Sequence, residues 1–158
     1  MAKTLVVDCD KCTLCGLCVM VCSVKHEGEF NPLKARITLD RVMPEGMMVP
    51  KVCWQCDSPA PCEESCPVEA ISRSRANGAV VIDHEICTLC ETCVEACPYD
   101  NVKLSPDCDK MLKCDLCGGD PECVKYCAYG TLSFVDADPE TLESKNRVKE
   151  EIAALLKL

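Results

Sequence analysis

Aromatic side chains make up only 4% of this 158-residue sequence: one tryptophan, two phenylalanines and three tyrosines. The hydrophobic share of 48% includes 18 cysteines, so the core is thin for this length and needs cross-links. Basic residues are scarce too, with 17 lysines and arginines against 26 acids and a formal net charge of −9. That balance argues against a nucleic-acid partner, whose phosphates require clustered Lys and Arg. Long apolar runs are missing. AVVI at 79–82 is strand-sized, far short of the roughly 18 residues that span a bilayer. The opening MAKTLVVDCDKC shows neither the three-part pattern of an export signal nor a twin arginine, so the expected location is cytoplasmic. His26 and His84 are the only histidines, and no Ser-His-Asp or phosphate-loop pattern accompanies them. Gly118-Gly119 falls inside a cysteine loop and reads as a turn. Catalysis by this chain is not expected.

What is abundant is cysteine. Disulfides in an oxidising compartment or metal in a reducing one would both use it, and the N-terminus favours metal. Cys12, Cys15, Cys18 and Cys22 follow C-x2-C-x2-C-x3-C, as do Cys87, Cys90, Cys93 and Cys97. Cys53, Cys56, Cys62 and Cys66 follow C-x2-C-x5-C-x3-C, as do Cys114, Cys117, Cys123 and Cys127. The alternation of short and long motifs marks an internal duplication. A short loop with cysteines three apart wraps a [4Fe-4S] cubane and supplies three thiolates. The fourth ligand comes from elsewhere, and in bacterial two-cluster ferredoxins it is the last cysteine of the partner motif. Structural zinc sites use two separated C-x2-C pairs and have no use for such a run. Two cysteines are left over. Cys9 aligns with His84 of the repeat, Cys108 has no counterpart near the second motif, and both are read as free thiols.

Between Cys66 and Cys87, AISRS and AVVID flank Asn77-Gly78, the pattern of a hairpin. Cys66 and Cys97 are the fourth cysteines followed by proline, Pro67 and Pro98. Motifs two and three therefore read as one two-cluster module, and motifs one and four must close on each other. KTLVVD at 3–8 and TLSFVD at 131–136 are the expected outer strand partners.

These four quartets, at 12–22, 53–66, 87–97 and 114–127, resemble the four-cluster electron-transfer subunits of molybdenum and tungsten oxidoreductases, the dimethyl-sulfoxide-reductase group among them. CSVKHEGEFNPLKARI at 22–37 and KCDLCGGDPECVKYC at 113–127 look most like the small subunits of tungsten aldehyde oxidoreductase-type and aromatic acyl-CoA reductase complexes. Ala128 departs from the proline usual after the last cysteine. Subunits of hydrogenases and carbon monoxide dehydrogenases share much of the pattern. The resemblance implies four [4Fe-4S] clusters with nested ligation. Cluster one takes Cys12, Cys15, Cys18 and Cys127, and cluster two Cys53, Cys56, Cys62 and Cys97. Cluster three takes Cys87, Cys90, Cys93 and Cys66, and cluster four Cys114, Cys117, Cys123 and Cys22. It further implies a larger catalytic partner holding a tungsten or molybdenum pterin, and a donor or acceptor protein. A free-standing polyferredoxin carrier and a redox-silent scaffold are the other readings.

The expected fold class is α+β, two nested ferredoxin-like modules with a C-terminal helix. Residues 1–25 and 105–137 form the outer module, 51–104 the inner one, 26–50 a hairpin insertion and 138–158 the helix. In the insertion, RITLDRV and GMMVPKV flank a Pro44-Glu45-Gly46 turn, and Met43, Met47 and Met48 are read as core fillers. His26 is read as a surface or loop-capping residue. Trp54, between two ligands, is expected to shield a cluster from water. In the tail, Asp138 is the expected N-cap and Pro139 the first helical residue. Val148, Ile152, Leu155 and Leu156 share one face, suited either to the protein's own body or to a partner.

Overall fold

The computed structural model describes residues 3–43 and 46–156. The first and last described strands meet in one sheet. Strand β1 (Lys3–Val7) pairs antiparallel with β8 (Leu132–Asp136), with Lys3 opposite Asp136 and Val7 opposite Leu132, as KTLVVD and TLSFVD suggest. Leu5, Val7 and Leu132 turn inward to the core, following the two-residue period of a strand.

The other described strands form three more two-stranded antiparallel sheets. β2 (Thr38–Val42) pairs with β3 (Met47–Lys51) as the hairpin of the insertion. Pro44 and Glu45 of its turn lie outside the described residues, and Gly46 has a φ of 70° with its N–H on the Val42 carbonyl. Met47 packs against the core, whereas Met43 is 69% exposed at the hairpin end, so it is not the core filler that its type suggests. β4 (Ile71–Arg73) pairs with β5 (Val80–Ile82). Asn77-Gly78 does sit in their connection, but the connection spans residues 74–79 rather than a two-residue turn. Ser74 N–H bonds the Ala79 carbonyl and Gly78 N–H the Ser74 carbonyl, which closes the wider loop. The fourth hairpin, β6 (Val102–Leu104) with β7 (Met111–Lys113), carries the chain from motif three into motif four. Its polar SPDCDK turn hides it from a search for alternating hydrophobics.

Helix α1 (Leu17–Glu27) holds Cys18 and Cys22. The short helices α2 (Pro61–Glu64), α3 (Thr92–Glu95) and α4 (Glu122–Lys125) each hold the third cysteine of their motif. Motif one breaks the repeat here. Glu69, Asp100 and Gly130, three residues after the fourth cysteines of the other motifs, all have positive φ and close a turn onto the carbonyl of that cysteine, beyond the end of the short helix. At the same offset Lys25 is still helical. Buried Ser23 keeps α1 going: its hydroxyl donates to the Met20 carbonyl at 2.9 Å and accepts the Asn31 N–H at 3.1 Å. Ala128 in place of proline leaves the turn at Gly130 intact.

The C-terminal helix α5 (Pro139–Leu156) starts as its cap residues specify, with the Thr141 N–H donating to Asp138 Oδ1 at 2.8 Å. It docks on the protein's own body. Ile152 is buried in the main core and Val148 and Leu156 pack beside it. No described helix is long and apolar enough to cross a membrane. Replacing Ile152 by Ala removes the anchor of this face and should destabilise the docked helix by about 2–5 kcal/mol. Amide hydrogen exchange over residues 139–156 reads the change, and unaltered protection there would mean that the helix is held by other contacts.

Candidate metal centres

The four C-x2-C loops share one backbone device. Leu14, Gln55, Leu89 and Leu116, each just before the second cysteine of its motif, have φ between 50° and 57°. Side-chain-bearing residues rarely adopt this left-handed conformation, which costs on the order of 1–3 kcal/mol and clusters at functional sites. It bends the chain sharply before the second cysteine of each motif, and at motif four the left-handed run continues through Cys117, Gly118 and Gly119.

Cysteines from different motifs meet above these loops. Cys12, Cys15, Cys18 and Cys127 line one hollow, which Leu39 and Pro50 of the β2–β3 hairpin help to cover. Cys53, Cys56, Cys62 and Cys97 line a second. Cys66, Cys87, Cys90 and Cys93 line a third. The remaining four motif cysteines also converge: Cys22 is in electrostatic reach of Cys117, and Cys123 of both. Cys114 joins through Cys123 and Cys22. These groups are here numbered sites one to four by the leading motif. In each, three cysteines come from one motif and the fourth from another.

Burial, then the neighbouring thiols, pushes Cys18, Cys62 and Cys93 up to about 11. Cys123 is pushed to about 12 by the same causes, and Cys114 is raised well above its ordinary value. Thiols placed so close cannot share that space as bare thiolates; a multivalent cation that displaces their protons resolves the conflict. The donor set of four sulfurs per site fits a [4Fe-4S] cluster.

N–H groups point at the sulfurs as well. Cys22 accepts from Arg36 N at 3.2 Å, Cys66 from Ala70 N at 3.2 Å and Cys97 from Asn101 N at 3.4 Å. At Cys127 burial acts upward, but the Leu132 N–H and the Thr131 hydroxyl and N–H outweigh it and hold the thiol below its usual value. Such bonds stabilise the charged sulfur and tune a cluster's potential.

Trp54 is 4% exposed and lines the second hollow, as its position between two ligands suggests. Its ring meets Tyr99 edge-on at 6.5 Å. His26 is partly buried rather than fully at the surface. Its Nε2 lies 3.7 Å from Cys117 Sγ and 3.5 Å from Asp115 Oδ1, and burial lowers its pKa while Asp115 opposes that. His84 is exposed, 58 residues on from His26 and well outside this contact. Cys9 sits in a short 3-10 turn and packs against the core without lining the first hollow. Burial, with Cys12 beside it, raises its pKa to about 11. Cys108 is exposed.

The sites adjoin. Cys123 of site four is in electrostatic reach of Cys18 of site one, and Cys114 of site four of Cys53 of site two. Gln55 ties the last two together, donating to the Cys114 carbonyl at 2.8 Å and accepting the Val80 N–H at 2.7 Å. Sites two and three share one core cluster around Ile71, Val80 and Val102.

Known proteins carry the same signature. Residues 44–137 match the family described as 4Fe-4S dicluster domain, and residues 10–25 match a 4Fe-4S binding domain. The polyferredoxin-like subunit of the aliphatic sulfonate oxidoreductase of Pyrococcus furiosus is 42% identical over 118 residues, 75% of this chain and 67% of that protein. A tetrathionate reductase subunit of Salmonella typhimurium is 30% identical over 150 residues, 87% of this chain and 59% of that protein. Among solved structures, the active site complex BamBC of benzoyl coenzyme A reductase aligns with a TM-score of 0.49 and 24% identity, covering 96% of this chain and 91% of that one. With its cysteine motifs, its small α+β architecture and a matched segment covering most of its length, this chain belongs to the 4Fe-4S dicluster domain family and carries [4Fe-4S] clusters for electron transfer.

Proposed function

We propose that the chain is the four-cluster wire of a larger oxidoreductase, linking a catalytic subunit with a molybdenum or tungsten pterin to a separate redox protein. The observation that carries this is the gathering of sixteen motif cysteines into four groups of four. The ligand sets follow the groups. Site one takes Cys12, Cys15, Cys18 and Cys127; site two Cys53, Cys56, Cys62 and Cys97. Site three takes Cys87, Cys90, Cys93 and Cys66, and site four Cys114, Cys117, Cys123 and Cys22. Each [4Fe-4S] cluster supplies a one-electron couple. Four cysteine ligands leave no coordination position for a substrate, so the chain passes electrons and leaves the chemistry to its partner.

The contacts between sites support a row in the order one, four, two, three. The crossing of Cys22 and Cys127 between motifs one and four, with the β1–β8 pairing, supports the nested arrangement: an outer module of 1–25 and 105–137 around an inner module of 51–104. Residues 26–50 are then an insertion over site one, and of the tail 138–158 the described helix, Pro139–Leu156, is a clasp. The names of the Pyrococcus and Salmonella relatives, both subunits of sulfur-compound oxidoreductases, support the role of a subunit. Iron held by thiolates suits a reducing compartment such as the cytoplasm.

Anaerobically prepared protein should contain about 16 irons and 16 sulfides per chain. Cys9→Ser and Cys108→Ser should keep that count, whereas serine at a site cysteine should lose about 4 irons. A count near 8, or zinc in place of iron, would overturn the four-cluster reading. The crossing has its own test in alkylation mapped by mass spectrometry. Cys127→Ser should expose Cys12, Cys15 and Cys18 while Cys114, Cys117 and Cys123 stay protected, and Cys22→Ser should do the reverse. Exposure of Cys127's own motif partners would refute the nesting. For the role as a subunit, purification from the native host should yield the chain in stoichiometric complex with a large pterin-bearing polypeptide; isolation alone, with full iron, would favour a free carrier.

A further inference from the structure

Two lysines are buried beside site two with no carboxylate against them. Lys113 and Lys145 are each 7% exposed. Lys113 Nζ donates to the Val80 carbonyl at 2.5 Å and the Cys114 carbonyl at 3.3 Å, and its side chain lines the hollow of Cys53, Cys56, Cys62 and Cys97. Its charge acts on Cys62. Lys145 Nζ, on α5, donates to Thr4 Oγ1 at 2.7 Å and faces Cys53 and Cys56. Neither lysine takes part in an ion pair among the described residues. The acid in the field of Lys145 is Asp57, which is exposed. Lys149, stacked 5.6 Å over the Tyr99 ring, adds a third positive charge that acts on Cys56.

The other sites lack this arrangement. At site four Arg36 lies 2.6 Å from Glu27, which also receives Lys110 at 2.7 Å, and Lys103, in reach of Cys22, is only partly buried and has Asp100 in its field. Lys25 acts on Cys117, but Asp115 and Glu122 act there with the opposite sign. Around Cys18 of site one and Cys93 of site three the charged neighbours are other cysteines.

A buried ammonium without a counter-charge is costly, and an anion beside it removes the cost. A filled site is that anion. Irons averaging about +2.5, four sulfides and four thiolates sum to about −2, and to about −3 once an electron enters. We propose that Lys113 and Lys145 are the counter-charges of the cluster at site two and raise its reduction potential above the value it would have without them. The inference rests on the ligand set proposed for site two. No bond forms or breaks: one electron arrives from an adjoining site, and the cations favour the more negative, reduced form. Site two thereby becomes a resting place for an electron within the row.

The test is a reductive titration of the full-length, cluster-loaded protein followed by electron paramagnetic resonance, with iron assayed in every sample. Lys113→Met and Lys145→Met should each leave the iron content intact and move one reduction step to lower potential. The expected change is about tenfold in that step's equilibrium constant, or 59 mV for a one-electron couple. The double variant should move the same step further, and Lys113→Arg and Lys145→Arg should restore it. Should Lys113→Met lose iron, Lys145→Met still decides, because its side chain approaches the site from the separate helix α5. Full iron with all steps unmoved in Lys145→Met would overturn the proposal. Cys97→Ser separates this outcome from a wrong ligand set. It should abolish the very step that the lysine variants shift, and a shifted step that survives Cys97→Ser would remove the lysines from site two.

Discussion

The constraint on which the structure depends is the crowding of thiols. Sixteen cysteines are drawn into four groups, and burial with like charge raises the pKa of Cys18, Cys62, Cys93, Cys114 and Cys123 among them. A fold that ended there would be self-defeating, since a 158-residue chain with so few aromatics has little core to offset the cost. Iron reverses the sign of the term. It replaces the protons, converts repulsion into coordination, and cross-links segments that hydrophobic burial alone would hold weakly. The hairpins between the motifs are short, three to five residues a strand, because they position cysteines rather than build a large sheet.

Much of this was legible in the sequence, and the reason is chemical. Cubane geometry dictates ligand spacing, so quartets such as Cys87 to Cys97 are readable without any knowledge of the fold. The outer strands and the capped C-terminal helix were readable for the ordinary reasons of alternation and an Asp-Pro start. Other features left no trace. The left-handed residue before each second cysteine is Leu14, Gln55, Leu89 or Leu116, and none is a glycine that would advertise the conformation. Only their common offset in a fourfold repeat could have disclosed it. His26 beside Cys117 and Lys145 beside Cys53 are contacts across 91 and 92 positions of chain, set by tertiary packing rather than by any local pattern. Met43 shows the converse error, an apolar residue type that hairpin geometry leaves in water.

Duplication explains the likeness of the four sites, and departures from it explain their differences. In motif one, Ser23 and the helix that continues past Lys25 carry the chain into the insertion. The bond to Cys22 is then made by Arg36, 14 residues on, whereas Ala70 and Asn101 make theirs at 4. The same insertion lays Leu39 and Pro50 over site one. The sulfur keeps an N–H partner even though the segment that supplies it has been exchanged, so the hydrogen bond to the fourth cysteine is the invariant of the design and the turn that delivers it is not.

Charge follows a different logic from coordination. A net charge of −9 gives the surface as a whole a sign that repels added electrons, and four filled sites deepen it. Against that background the positions of the few buried cations decide where an electron rests. Arg36 is neutralised by Glu27, so it orders the backbone near site four more than it shifts the local potential. Lys113 bridges the carbonyls of Val80 and Cys114, joining β5 to motif four. Lys145 fastens the C-terminal helix to Thr4 of β1. Both lysines therefore tie distant segments of the chain together at the place where their charge acts on site two, so one substitution reaches both the packing of those segments and the energy of an electron at that site.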